Sequence, residues 1–216
     1  MISTALVLAF LMSTVSFLSW IYRKKENEIK KNECVSIAIF GSKGAGKTTL
    51  WSKLQGVFED KEYHPTLGTE DVNQFTIEYN GKRKVITKSK DFGGGDDVVR
   101  YYGDIIKEDT FVYYLIDLTT LEKFRRETRA RLQYLSQVVK QKQLKDKVRL
   151  RLVATHYRDY LRNNPGKTRP DVIHELASVI GLNNIRDVKI EERIMVAELT
   201  EKEDINQIFE QIIQTN

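Results

Sequence analysis

The chain has 216 residues, a mass of 25.1 kDa and 41% hydrophobic content, enough for one core of ordinary size and too little for two full domains. Its formal charge of +5 and pI near 9.1 come in good part from Arg23, Lys24, Lys25, Lys30 and Lys31, partly offset by Glu26, Glu28 and Glu33. A second basic stretch runs from Arg129 and Arg131 through Lys140, Lys142, Lys145 and Lys147 to Arg151; it lacks the interleaved aromatics that stack bases, so it reads as a solvated helix face and no nucleic-acid partner is expected.

In chain order, the first feature is Ile2–Tyr22, which carries no charged side chain. A helix of about 20 apolar residues spans a bilayer core, Trp20 and Tyr22 suit the interface, and Arg23, Lys24 and Lys25 follow at once. The positive-inside rule then puts the amino terminus outside and the rest in the cytoplasm. The competing reading, a cleaved signal peptide, requires a positive segment before the apolar core and a small-residue exit, and nothing of the kind precedes Ile2. The expected organisation is a transmembrane anchor over 1–22, a basic juxtamembrane linker over 23–34 whose lysines favour anionic headgroups, and a globular domain over 35–216. The single cysteine, Cys34, allows no internal disulfide.

From Val35 onward, short β-branched or aromatic runs alternate with helical stretches, the pattern of βαβ units and a mainly parallel sheet flanked by helices. Strands are predicted at Val35–Phe40, Val72–Tyr79, Arg83–Lys90, Phe111–Asp117, Arg149–Ala154 and Arg193–Ala197. Asn80-Gly81 marks a hairpin between the second and third, because both positions favour positive φ. Helices are predicted at Lys47–Gln55, Leu121–Gln143, Pro170–Ile180 and Thr200–Gln214. Gly181 stops the third, and Thr200 with Glu203 forms a capping box for the last. Ile205, Ile208, Phe209 and Ile212 on that last helix read as core packing.

Directly after the first strand comes Gly-Ser-Lys-Gly-Ala-Gly-Lys-Thr, Gly41–Thr48, a P-loop in its strand-to-helix context. Gly41, Gly44 and Gly46 let successive amides turn inward, and with Ser42, Lys43, Ala45 and Thr49 they form a phosphate cradle at a helix N-terminus. Lys47 reaches the β- and γ-phosphates and the Thr48 hydroxyl joins a Mg²⁺ shell. The P-loop alone does not separate GTPases from ATPases or small-molecule kinases.

Two downstream motifs carry a resemblance. His64-Pro65-Thr66-Leu67-Gly68 and Asp91-Phe92-Gly93-Gly94 resemble the switch segments of Ras-like small GTPases, in particular the branch of Arf proteins and the signal-recognition-particle-receptor beta subunit. The resemblance implies a small-GTPase α/β fold, GTP or GDP with Mg²⁺ as ligands, Thr66 and Asp91 beside Thr48 at the metal, and the Gly94 amide on the γ-phosphate. It also implies protein partners at Thr66–Asp71 and Phe92–Arg100. His156-Tyr157-Arg158-Asp159 stands where the family has Asn-Lys-x-Asp. The resemblance implies that Asp159 accepts the guanine N1 and N2 donors there, that Tyr157 covers the base in place of the Lys while His156 replaces the Asn, and that Glu198 falls in the last base loop.

The family's water-positioning glutamine is replaced by Gly95, followed by Asp96 and Asp97, so the catalytic residue is left open. Hydrolysis is expected to be slow unless Asp96, Asp97 or a partner supplies the group. Three functions are consistent with these residues: a membrane-anchored GTP switch or recruitment platform, a non-cycling structural subunit with permanently bound GTP, and a P-loop kinase whose arginine lid would be Arg158–Arg169.

Overall fold

Strand β1 (Cys34–Gly41) is buried from Val35 on, and its side chains divide by parity, as a two-residue repeat requires. Val35, Ile37 and Ile39 enter one apolar cluster, and Ala38 and Phe40 enter the other. In the computed structural model, residues 34–57, 66, 68–144, 147–181 and 193–214 are described. The Ile2–Tyr22 span, linker residues 23–33, and His64, Pro65 and Leu67 of the first switch motif lie outside the described residues. Among the described residues no helix is long and apolar enough to cross a membrane.

The other strands are β2 (Thr69–Val72), β3 (Phe75–Tyr79), β4 (Lys82–Ile86), β5 (Ser89–Phe92), β6 (Thr110–Asp117), β7 (Val148–Thr155) and β8 (Ile194–Val196). Six of them form a sheet in the order β3-β4-β1-β6-β7-β8. The pairs β1–β6, β6–β7 and β7–β8 are parallel, and β3–β4 is antiparallel. Asn80 and Gly81 both take positive φ, 51° and 72°, so the predicted hairpin turn forms between Tyr79 and Lys82.

The helices are α1 (Lys47–Leu54), α2 (Tyr102–Ile105), α3 (Leu121–Gln141), α4 (Tyr157–Asn163), α5 (Arg169–Val179) and α6 (Lys202–Ile213). One core layer packs Leu50, Trp51 and Leu54 of α1 and Ile205, Ile208 and Ile212 of α6 against Ile37, Ile39 and Leu115. The opposite layer packs Leu135 and Val138 of α3 and Val172 and Leu176 of α5 against Phe40, Tyr114 and Ala154. Both sheet faces are thus covered, as a parallel sheet demands. After β1 the chain builds β4 on one side of it and β6 on the other, so the strand order switches at the carboxyl end of β1, the place where ligands bind in open α/β sheets.

The structure corrects the sequence reading in several places. The strands expected at Val72–Tyr79 and Arg83–Lys90 are each split in two, and β2 and β5 pair antiparallel in a separate ribbon, from Thr69↔Phe92 to Val72↔Ser89. The break arises where Thr87 turns its amide to the Val35 carbonyl of β1 (2.9 Å) and Ser89 Oγ donates to the Ile37 carbonyl (2.7 Å). The capping box is at Thr168–Asp171, at the start of α5. Thr200 instead donates to Glu198 Oε1 (3.2 Å), and α6 begins after Glu201 with no side-chain cap.

The helices α2 and α4, and the 3₁₀ turn Asp96–Tyr101 before α2, are too short for a helical period to show in sequence. Gly181 does end its helix, with φ of 71°. The basic stretch is not uniformly solvated: Arg131 sits on the buried stripe of α3, with Leu121, Thr128, Leu135 and Val138.

Candidate functional site

The loop Gly41–Gly46 joins β1 to α1 across the switch point. Gly46, the residue before α1, has φ of 90°, and a Cβ there would meet Leu199 Cδ1 at 2.7 Å, so only glycine fits both the turn and the space. Lys47 is buried, and its Nζ donates to the Ser42 carbonyl (2.8 Å). Burial pulls the Lys47 ammonium down to about 8, with the Asp91 carboxylate opposing. A phosphate anion at this position would favour the charged form.

Of the residues predicted to bind phosphate, Lys43, Gly44, Gly46, Lys47, Thr48, Thr49 and Gly94 line a cavity of about 360 Å³. Gly41, Ser42 and Ala45 stand behind it and are buried. The Ala45 carbonyl accepts from Thr155 Oγ1 (3.0 Å), which also donates to the Ile116 carbonyl (3.3 Å). Thr155, at the end of β7, thereby ties the loop to the two neighbouring strands. Sequence reasoning passed over it, although it directly precedes the base motif.

Thr48, Thr66 and Asp91 come together at the cavity edge. Thr48 Oγ1 donates to Asp91 Oδ2 (2.6 Å), Thr66 Oγ1 lies 3.0 Å from Thr48 Oγ1, and Thr66 Oγ1 to Asp91 Oδ2 is 3.4 Å. Asp91 Oδ1 is buried without a hydrogen-bond partner. Burial raises the Asp91 pKa, while the Thr48 bond and the Lys47 charge oppose it. An all-oxygen set with an unpartnered buried carboxylate oxygen fits a hard divalent cation such as Mg²⁺, which would neutralise what the protein leaves uncompensated.

The next segment closes the other side. The Gly93 amide donates to the Gly68 carbonyl (2.7 Å). Gly94 lies so close to the Lys43 backbone that a Cβ would collide with it. Behind this contact stands Arg131, 3% exposed in its side chain. Its guanidinium donates to the Gly94 carbonyl (2.9 Å), to Asp96 Oδ1 (2.8 Å) and to the Gly41 carbonyl (3.4 Å), and pairs with Glu127 (2.7 Å). One buried cation therefore spans both the P-loop strand and the glycine turn.

A second cavity, of about 280 Å³, adjoins the first; Gly46, Thr49 and His156 line both. His156, Asp159 and Glu198, three of the four predicted base residues, line it with Arg158, Arg162 and Leu199. Its rim is held by Arg169, which forks onto Asp204 (2.7 Å for each nitrogen), while Asp204 accepts the Glu198 amide (2.7 Å). The P-loop residues and the carboxylate loop thus line two neighbouring cavities that share Gly46, Thr49 and His156.

The sequence profile of the ADP-ribosylation factor (Arf) family matches residues 21–216. The chain belongs to the Arf family of small GTPases. Among curated proteins, none matches the chain. Membership makes it a GTP-binding switch protein by family, with guanine nucleotide and Mg²⁺ as the family's ligands.

Against that family pattern, several residues of this Arf-family chain are placed differently. Tyr157 does not line the base cavity: its hydroxyl donates to the Lys167 carbonyl (3.1 Å) and Arg169 stacks 5.5 Å over its ring. Arg158 and Arg162 line that cavity instead. Asp159 pairs with Arg162 (2.9 Å), and Arg158 pairs with Glu201. His156 adopts φ of 59° and sets Nδ1 3.1 Å from Thr155 Oγ1. Among the described residues, no arginine of Arg158–Arg169 lines the phosphate cavity. The sequence reading places Arg131 on a solvated helix face, whereas the structure buries it.

Proposed function

We propose that this Arf-family protein is a membrane-anchored, nucleotide-dependent switch that recruits a cytoplasmic partner, with slow or partner-triggered GTP hydrolysis. The observation that carries the reading is the convergence of Thr48, Thr66 and Asp91 within 3.4 Å at the mouth of the P-loop cavity. Thr48, Thr66 and Asp91 would hold a cation that supplies positive charge beside the phosphates, and the Gly93–Gly68 bond (2.7 Å) links the first switch segment to the second. Gain or loss of the terminal phosphate then changes the order of Thr66–Asp71 and Phe92–Arg100, and with it partner affinity. In this reading Lys43, Gly44, Gly46, Lys47, Thr49 and Gly94 hold phosphate, and His156, Asp159 and Glu198 read the base. Ile2–Tyr22, of which the family match leaves out all before Ile21, serves as the anchor, with the nucleotide domain on the cytoplasmic side.

Titration of the full chain in detergent with GTP, GDP and ATP, with and without Mg²⁺, tests the proposal. Mg²⁺-dependent binding of guanine nucleotides over ATP is expected; indifference to all three would overturn it. One residue favours a second reading, a structural subunit that keeps GTP bound without cycling. Gly95 leaves the position of the family's glutamine without a side chain, and intact GTP that co-purifies and never turns over would establish that alternative.

A further inference from the structure

We infer that Asp97 does in this protein what a side chain at position 95 cannot: its carboxylate orients the water that attacks the γ-phosphate. The inference rests on the GTP-binding reading of the cavity and adds to it the group that would do the chemistry. Two acidic residues follow Gly95, and the structure separates them. Asp96 is turned away, its Oδ1 taken by Arg131 at 2.8 Å. Asp97 lines the cavity together with Lys47, Thr48, Gly94 and Gly95. Its Oδ1 occupies the space where the first atom of a residue-95 side chain would stand, so that a Cβ built on Gly95 collides with it.

The turn that carries Asp97 is fixed on both sides of Gly95 by one buried group. Arg131 binds the Gly94 carbonyl before it and the Asp96 carboxylate after it, and Val98, 1% exposed, anchors the next residue in the core. Arg131 is thus a positioning residue, and Asp97 is held exposed to solvent at the cavity wall. An ionised carboxylate only accepts hydrogen bonds, so a water bound to it presents its lone pair rather than its protons to the phosphate. As the water oxygen bonds to the γ-phosphorus, the bond from that phosphorus to the β,γ-bridging oxygen breaks. Its electron pair leaves with GDP, and the water proton passes by way of Asp97 to the released phosphate. Water is the only co-reactant.

The test uses the full chain in detergent, loaded with GTP and started with Mg²⁺, in a single-turnover measurement of phosphate release. GTPγS affinity is measured on the same preparations. Asp97→Ala and the isosteric Asp97→Asn are expected to slow release by about 100-fold, in the range for loss of a positioned proton acceptor, with GTPγS affinity kept within about twofold. Wild-type release rates in either variant overturn the assignment. So does a loss of GTPγS affinity that matches the loss of rate, because Asp97 would then be a binding group only. A wild-type protein that binds GTPγS but releases no phosphate above the protein-free control overturns it too, and leaves the nucleotide-binding reading standing. Failure to bind GTPγS at all is the separate result that sinks the binding reading itself.

Discussion

Replacing Arg131 by Met separates what this side chain does for the fold from what it does for the glycine turn. The site is on the buried stripe of α3 between Leu135 and Thr128, so an unbranched apolar side chain of similar length packs there. The substitution removes a charge-assisted bond to the Gly94 carbonyl (2.9 Å), worth about 1.5–3 kcal/mol. It also removes the pair with Asp96, whose carboxylate is 86% exposed; solvent screening limits that pair to under about 1 kcal/mol. Against these losses stands the desolvation of the guanidinium, which an apolar replacement recovers; removing one partner is costly when the charge left behind stays buried, and here the Asp96 and Glu127 carboxylates both reach solvent. Glu127, left without its partner, is 27% exposed and keeps access to water.

The two effects fall on different measurements. Global unfolding in urea should change by under about 1.5 kcal/mol, because the core contacts of α3 are retained. Local opening of residues 94–101 should become about 2 kcal/mol easier, which appears as roughly 30-fold faster amide hydrogen exchange in that segment alone. Unchanged exchange at residues 94–101, or acceleration spread evenly over β1, β6 and β7, would refute the assignment of Arg131 as the clamp of this turn.

Three further substitutions have definite expectations. Lys47→Ala, which deletes a buried ammonium beside the cavity, should weaken GTP binding by about 10- to 100-fold, as loss of one charged hydrogen-bond donor implies; unaltered affinity in a titration would remove the cradle from the argument. Asp159→Asn should shift preference from guanine toward xanthine nucleotides by about 2 kcal/mol in competition binding, and an intact guanine preference would show that Asp159 does not read the base. Thr168→Ala breaks the capping box of α5 and should cost about 1 kcal/mol, a fall in Tm of about 2–4 °C. The Thr168 bonds hold the Asp171 carboxyl below its ordinary range, so this contribution is present at neutral pH and is lost as pH falls through the folded value. The gap in Tm between Thr168→Ala and wild type should therefore narrow in acid.

The fold was legible wherever a segment was long enough to carry a period. β1 and β6 are runs buried on both faces, the second half of β7 (Leu152–Thr155) is buried likewise, and α6 repeats Ile205, Ile208 and Ile212 at helical spacing. Segments of four to seven residues, such as α2 and α4, do not complete enough turns to declare themselves, and the break between β4 and β5 depends on a bond to β1 that no local pattern encodes. In the site, the P-loop was legible because its glycines answer to backbone geometry, as Gly46 does. Arg131, Thr155 and Arg169 were not, because each acts through a partner remote in sequence: Gly94 lies 37 residues from Arg131, Ala45 lies 110 from Thr155, and Asp204 lies 35 from Arg169. The placement of Tyr157 was not legible for the same reason, since its hydroxyl and ring meet Lys167 and Arg169.

On the proposed reading, in which two segments sense the terminal phosphate, those segments are not anchored alike, and the asymmetry predicts where discrimination between GTP and GDP arises. The Gly94–Asp96 turn is bound by the protein's own cation, Arg131. Thr66 is joined to the rest of the site, through its side chain, by hydroxyl contacts of 3.0 and 3.4 Å at Thr48 and Asp91. A ligand shifts an equilibrium only by its differential affinity for the two states. A turn already clamped therefore has little left to gain from the γ-phosphate, whereas a segment tied by two exposed or half-buried hydroxyl contacts gains most of its order from the cation that the phosphate brings. The GTPγS-to-GDP affinity ratio should thus depend mainly on Thr66. Thr66→Ala should bring that ratio down by about tenfold, one lost ligand bond of about 1.4 kcal/mol, while GDP affinity stays near wild type. If Thr66→Ala leaves the ratio intact and Arg131→Met abolishes it, the order of the two anchors is the reverse of the one argued here.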